Sequence, residues 1–182
     1  MIAAVDVHYF GEVAQAALVA FADWTSDEAL LEGIQRVDRV APYVPGEFFR
    51  RELPCVLPLI EAVKPEVVIV DGYVWLGAQP GLGAHLHNML ARRGHTCAVV
   101  GAAKTPFKGT QAVEVRRGQR NGRRGPSPRP LYVTSVGMDP TAAAQAVASM
   151  AGPWRIPMLL RRVDDLTRMK RGDSARSAAV SD

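Results

Sequence analysis

The 182-residue sequence predicts an α/β domain with a mixed central sheet, an antiparallel meander followed by parallel strands, flanked by helices. Two observations carry this. The first ~40 residues are dominated by β-forming runs broken at a glycine. The middle then alternates amphipathic segments with short, continuously apolar ones, the pattern of parallel strands buried on both faces. Hydrophobic residues are 48% of the chain and charged residues 22%, which excludes wholesale disorder.

In chain order, Ile2–Phe10 is a strand with Asp6 inside an apolar run, and Gly11 turns it into a hairpin partner at Val13–Phe21. Leu30–Val40 is either a third strand of the meander or a short helix, since Ile34, Val37 and Val40 are spaced by three. The stretch Ala41–Phe49 holds two prolines and a glycine around Tyr43 and forms a stiff exposed loop. A helix over Phe49–Val63 carries Pro54 and Pro58, which should disturb it. Glu66–Asp71 and Thr96–Gly101 are buried strands, and between them Gly81–Arg93 is helical. Arg116–Pro130 is Arg, Gly and Pro with almost nothing apolar, hence a loop. Leu131–Val136 is a strand, Pro140–Met150 a helix capped by Asp139, and Val163–Lys170 a last short helix. Residues 1–170 make one domain, and 171–182 form a tail expected to be disordered.

Charge is unevenly placed. Residues 1–103 hold 7 Lys/Arg and 12 Asp/Glu, whereas residues 104–129 hold 8 Lys/Arg and one acid, Glu114. Gathered carboxylates suit a metal and a basic stretch suits a polyanion, although a solvated basic loop has the same composition. Cys55 and Cys97 form neither a CxxC pair nor a ligand spacing, so they read as small buried hydrophobes in a reducing cytoplasm. No apolar run approaches the ~18 residues of a membrane span. The opening MIAAVDVHYF lacks the basic start of a signal peptide. His85 and His87 fall on opposite sides of a helix, and these two, His8 and His95 read as packed or exposed histidines rather than ligands. Trp75 reads as core in preference to a base-stacking platform.

Asp6 and Asp71 need explaining, because a carboxylate in an apolar strand costs several kcal/mol unless it is paired. Two such strands side by side could offer both acids to one hard divalent cation. Glu52, near the start of the helix that feeds the Asp71 strand, is a third candidate.

These residues stand in a recurring series of short motifs: VDVHY at Val5–Tyr9, PYVPG at Pro42–Gly46 followed by Arg51-Glu52, and VDG at Val70–Gly72. The series continues with Gly81–His85, Gly101–Lys104, PLYVTSVG at Pro130–Gly137 and RIP at Arg155–Pro157. In that order and spacing, over residues 2–170, the sequence resembles the endonuclease V family. The resemblance implies a ribonuclease H-like fold and an endonuclease that hydrolyses a phosphodiester bond near a deaminated purine. It implies Mg2+, for which Mn2+ can substitute, and a DNA partner, or RNA, containing a deaminated base. It implies Asp6, Glu52 and Asp71 as metal-binding carboxylates and Lys104 beside the scissile phosphate. Pro42, Tyr43, Val44 and Pro45 match the family's strand-separating wedge, and Gly46 and Gly81 fall in the base pocket. The basic loop adds phosphate contacts at Arg120, Arg123 and Arg124. A cytoplasmic monomer with no membrane association is expected.

Two departures accompany the likeness. Met138 stands where the family's histidine is expected after Gly137, with Asp139 beside it as a fourth metal carboxylate or only a helix cap. Gly77 stands where a pocket histidine is expected. Both predict slower or less selective cutting of deoxyinosine. A diverged nuclease for another nucleic-acid structure, and a non-catalytic nucleic-acid-binding module, are the alternative readings.

Overall fold

The computed structural model of the protein describes residues 1–120, 123–126 and 128–169, with side chains described outside 119–127. Strands β1 (Ile2–Phe10) and β2 (Val13–Phe21) pair along their whole length around Gly11, whose φ of 66° suits a residue without Cβ. Strand β3 (Leu31–Val37) pairs antiparallel with β2, so the Leu30–Val40 segment is a strand and not a helix. Its alternate residues face solvent because it lies at the sheet edge.

Helix α1 (Phe48–Val63) runs unbroken through Pro54 and Pro58. Both prolines are exposed and four residues apart, on the solvent side. The carbonyls they leave without partners therefore meet water, and the buried stripe of Glu52, Val56 and Ile60 is untouched. Strand β4 (Val67–Val70) follows, then a small hairpin of β5 (Trp75–Leu76) and β6 (Gln79–Pro80), helix α2 (Leu82–Arg92) and strand β7 (Ala98–Ala103). Strands β8 (Val113–Val115), β9 (Gln119–Arg120), β10 (Arg123–Pro126) and β11 (Leu131–Val136) lead to helices α3 (Pro140–Ser149) and α4 (Met158–Arg168). The expected loop at 116–130 thus contains a short antiparallel ribbon, β9 with β10. Arg117, at its base, is buried and donates to the carbonyls of Met150 and Gly152, so this part of the basic run is structural. The last helix begins five residues before Val163, because Pro157 starts it and Leu159, Val163 and Leu166 make its apolar face. The expected tail at 171–182 lies outside the described residues.

The seven-stranded sheet has the order β3-β2-β1-β4-β7-β11-β8. Helices α1 and α2 cover one face and α3 and α4 the other. Alternation divides each central strand between them. Ala3, Val5, Val68 and Val70 enter the α1/α2 core, whereas Ile2, Ala4 and Ile69 enter the α3/α4 core. Leu18, Phe21, Ile60, Ile69 and Leu86 are fully buried, each worth roughly 1.5–3 kcal/mol relative to exposure. Strands β1, β4 and β7 run parallel, so their carboxyl ends emerge on one side of the sheet, the place where α/β folds meet ligands.

Candidate active site

The parallel register explains why two distant aspartates become neighbours. The β1–β4 pairing ends at Val5 opposite Val70, so Asp6 and Asp71 follow on adjacent strands. Val70 lies opposite Gly101 on β7, and Lys104 follows that strand at the same end. Its Nζ donates to Asp71 Oδ2 at 2.6 Å. Glu52 arrives from α1, 8% exposed, and lines one cleft with Asp6 and Asp71. The four residues expected at the cutting centre therefore gather: Asp6 from mid-β1, Asp71 and Lys104 from just past the ends of β4 and β7, and Glu52 from a helix. Among the described residues, no three acids, histidines or cysteines stand as a closed ligand set, so the carboxylates face a shared space without converging on one point.

The electrostatics of that space are unfavourable without a cation. Burial first, then the charge of Asp71, pushes the Asp6 carboxyl up to about 7. Burial, then Asp6 and Asp71, holds Glu52 well above the usual carboxylate range. Burial lowers Lys104, but its hydrogen bond and attraction to Asp71 more than offset this and raise it. Two buried carboxyls whose proton affinity is raised, beside the Asp71 carboxylate, make an oxygen-donor set suited to a hard divalent cation.

One acid at this site escaped the sequence reading. Asp164 of α4 lines the neighbouring cleft with Asp6, Asp71 and Lys104, close enough for its carboxyl to interact with that of Asp6. Arg168, one helical turn on, holds it at 3.1 Å and lowers its carboxyl. In sequence it is one of two adjacent acids on an amphipathic helix. Only the helical phase shows that Asp164, not the exposed Asp165, turns inward. Arg155 was also missed as a site residue. It donates to the carbonyls of Lys104 and Pro130 and so braces the backbone that carries Lys104.

The direction of β11 takes Met138 away from the site and leaves Asp139 the helix cap expected of it, not a fourth metal carboxylate. That strand runs antiparallel to β7, with Tyr132 opposite Ala103 and Val136 opposite Val99. Its carboxyl end therefore leaves the sheet about 13 Å of strand away from the Lys104 end. Met138 packs against the α3/α4 core, and Asp139 caps α3 by accepting from the Ala142 amide at 2.9 Å. Neither can reach the carboxylates. Met138→His should consequently leave the cutting rate within about twofold of the parent. It should cost roughly 1 kcal/mol of stability for a polar ring in an apolar niche. Steady-state rates and thermal melts check both halves, and a large rate gain would contradict the strand order.

The other expectations are placed as follows. Pro42–Gly46 is exposed throughout, with Tyr43 61% and Val44 47% accessible. The loop is tied back by an edge contact of Tyr43 with Phe48, which in turn meets Tyr9 of β1. Gly46 adopts φ 81° with open space around its α-carbon. Gly81 precedes α2, and a Cβ there would lie 2.6 Å from the Tyr73 carbonyl, so close backbone approach accounts for this glycine. Gly77 turns the β5–β6 hairpin at φ 63° and donates to Thr110 Oγ1 at 2.7 Å, so it too has a backbone reason of its own. Trp75 is not core: it is 40% exposed on that hairpin, which is too short to bury it. His85 stacks on Phe49, His87 bonds the Cys97 carbonyl, His95 bonds the Pro65 carbonyl and His8 packs on Phe10. Cys55 and Cys97 are free and buried. The side chains of Arg120, Arg123 and Arg124 lie outside the described residues.

An antiparallel meander leading into parallel strands, with helices on both faces and acids at the strand ends, is the ribonuclease H-like fold. Comparison with known proteins narrows it. A sequence model of endonuclease V matches residues 1–165. The endonuclease V of Streptomyces coelicolor is 33% identical over 198 aligned residues, covering 94% of this chain and 79% of that protein. That of Thermococcus kodakarensis is 29% identical, covering 100% and 83%. The crystal structure of human ENDOV superposes with a TM-score of 0.70 at 26% identity, covering 98% and 85%. A Ciona intestinalis endonuclease V, crystallised with a DNA containing an inosine followed by a ribo-adenosine, shares the fold with a TM-score of 0.69 at 17% identity, covering 97% and 86%. The chain belongs to the endonuclease V family. No described helix is long and apolar enough to cross a membrane.

Proposed function

We propose that this protein is a Mg2+-dependent endonuclease that hydrolyses a phosphodiester bond near a deaminated purine, inosine or deoxyinosine, and acts in repair as a cytoplasmic monomer. The observation that carries the reading is the gathering of Asp6, Glu52 and Asp71 around one cleft, with Lys104 bonded to Asp71 at 2.6 Å. Three acids repel a phosphate unless a cation stands between them, which disfavours a purely binding role. Family membership and the inosine-containing DNA held by the Ciona relative support the substrate class.

Asp6, Glu52 and Asp71 would hold the ion, with Mn2+ as a substitute for Mg2+. When bound, such an ion activates water and steadies the leaving oxygen. The protein's own residues do the rest. Lys104 is oriented by Asp71 and presents positive charge beside the phosphate. The exposed, proline-braced Pro42–Pro45 loop parts the strands, because a base that is read alone must leave the stack. Gly46, exposed with open space around it, lets backbone approach that base closely.

The test is nicking of matched oligonucleotides containing deoxyinosine, inosine or only undamaged bases, with Mg2+, Mn2+ or chelator. Metal-dependent nicking of the deaminated strands alone is expected. Equal cutting of undamaged strands would favour a diverged, structure-directed nuclease. Binding without cutting in either metal would overturn the enzymatic reading.

A further inference from the structure

We propose that the cleft between Lys104–Pro106 and Pro128–Tyr132 is a phosphodiester subsite, seating the nucleic-acid backbone on the side of the cutting centre away from the 42–46 loop. This rests on the nuclease reading and extends it to a place and a set of residues. The cleft has a volume of ≈ 430 Å³ and is lined by Lys104, Thr105, Arg129, Tyr132 and Arg155 between rigid prolines. No acid lines it, in contrast to the carboxylate cleft beside it.

Its position follows from the sheet order. The 42–46 loop is fastened to β1 through Phe48 and Tyr9, Asp6 lies mid-β1 just past its last pairing with β4, and Asp71 follows β4. Lys104 follows β7, and Tyr132 belongs to β11. Neighbouring strands are ~4.8 Å apart, so the β7–β11 cleft is centred roughly 10 Å from the aspartates. A strand laid across these ends would meet the wedge loop, the acids, Lys104 and then this cleft in turn.

Arg155 adds a fixed charge to those of Lys104 and Arg129. Its Nη2 donates only to the Lys104 and Pro130 carbonyls, and its Nε is buried without a partner. Among the described residues it makes no ion pair, so its guanidinium stays uncompensated at the cleft wall. A partly buried, unpaired charge is costly, and an arriving phosphate relieves it. Thr105 and Tyr132 add hydroxyl groups of the kind that contact backbone phosphates. Such contacts fix the register of a strand without reading its bases.

The test uses the full chain and the pair Arg129 and Tyr132, because Arg155 also braces the fold. Fluorescence anisotropy measures binding of an inosine-containing single strand in Ca2+, over a series of salt concentrations, for the parent and Arg129→Gln/Tyr132→Phe. The double variant should bind roughly three- to tenfold more weakly, with its log K against log salt slope flatter by about 0.7. An oligonucleotide shortened past the scissile linkage at one end should bind parent and variant alike, and one shortened at the other end should preserve the gap. Unchanged affinity and slope, or an equal gap on both shortened strands, would overturn the subsite while leaving the nuclease reading intact. A parent that neither binds nor nicks any inosine-containing strand would fail the nuclease reading, and the subsite with it.

Discussion

Asp71→Asn is expected to reduce cleavage to background while the protein remains folded. The substitution keeps the shape of the side chain and removes the charge that both a cation and Lys104 require. Loss of a group that merely orients a metal ligand costs ~10–100-fold, so loss of the ligand itself should exceed that range. Stability should change little. The Asp71–Lys104 pair is exposed by 40% and 43%, and a pair so accessible contributes at most about 1 kcal/mol. The amide oxygen can still accept from Lys104, and one fewer negative charge faces Asp6 and Glu52. Single-turnover rates across a Mg2+ titration, beside circular dichroism and thermal melts, separate the effects. A variant that cuts at the parent's rate under limiting Mg2+ would remove Asp71 from the ligand set. Lys104→Met makes the useful contrast, because it should slow cutting while leaving the Mg2+ dependence in place.

How far the site could be read from sequence depended on whether position along a strand or direction of a strand decided the matter. Asp6 and Asp71 were legible because a carboxylate in a continuously apolar strand is an energetic anomaly, and parallel pairing makes two such anomalies adjacent. Glu52 was legible through its place near the start of the following helix. Met138 was placed at the site by its motif position after Gly137, and a motif position carries no strand direction. Only the antiparallel β7–β11 register shows that Gly137 leaves the sheet at the wrong end. Asp164 was missed for a related reason: its approach to Asp6 depends on how α4 docks across β1 and β2, a tertiary choice that 3.6-residue periodicity does not encode. The Leu30–Val40 segment, ambiguous by spacing alone, became a strand because β2 had a free edge for it. Arg117 was hidden inside a run of polar residues whose composition speaks for solvent, although it is buried and donates to the carbonyls just past the end of α3.

The largest effect expected on stability concerns the acids in the absence of metal. In chelator, the protein should become less stable as pH rises from about 4 to about 7. Asp6 loses its proton near 3.8 in the unfolded chain and near 7 in the folded one, so between those values the folded state holds the extra proton. Stability then falls with pH, being fully present below the unfolded value and lost as pH climbs through the folded one. At ~1.36 kcal/mol per pH unit the loss through Asp6 is on the order of 4 kcal/mol, with Glu52 acting in the same direction. A cation that binds only the folded state opposes this, by about 2.7 kcal/mol at a hundredfold excess over its dissociation constant. The gap between Tm in Mg2+ and Tm in chelator should therefore be small near pH 5 and widen towards pH 8. Asp6→Asn should flatten the pH dependence in chelator and shrink the Mg2+ gap together, because one carboxylate underlies both. Melting curves for parent and variant at four pH values, with and without Mg2+, make the comparison. A Tm in chelator that rises over this interval, or a Mg2+ gap that the variant keeps in full, would show that these acids do not carry the burden their crowding implies.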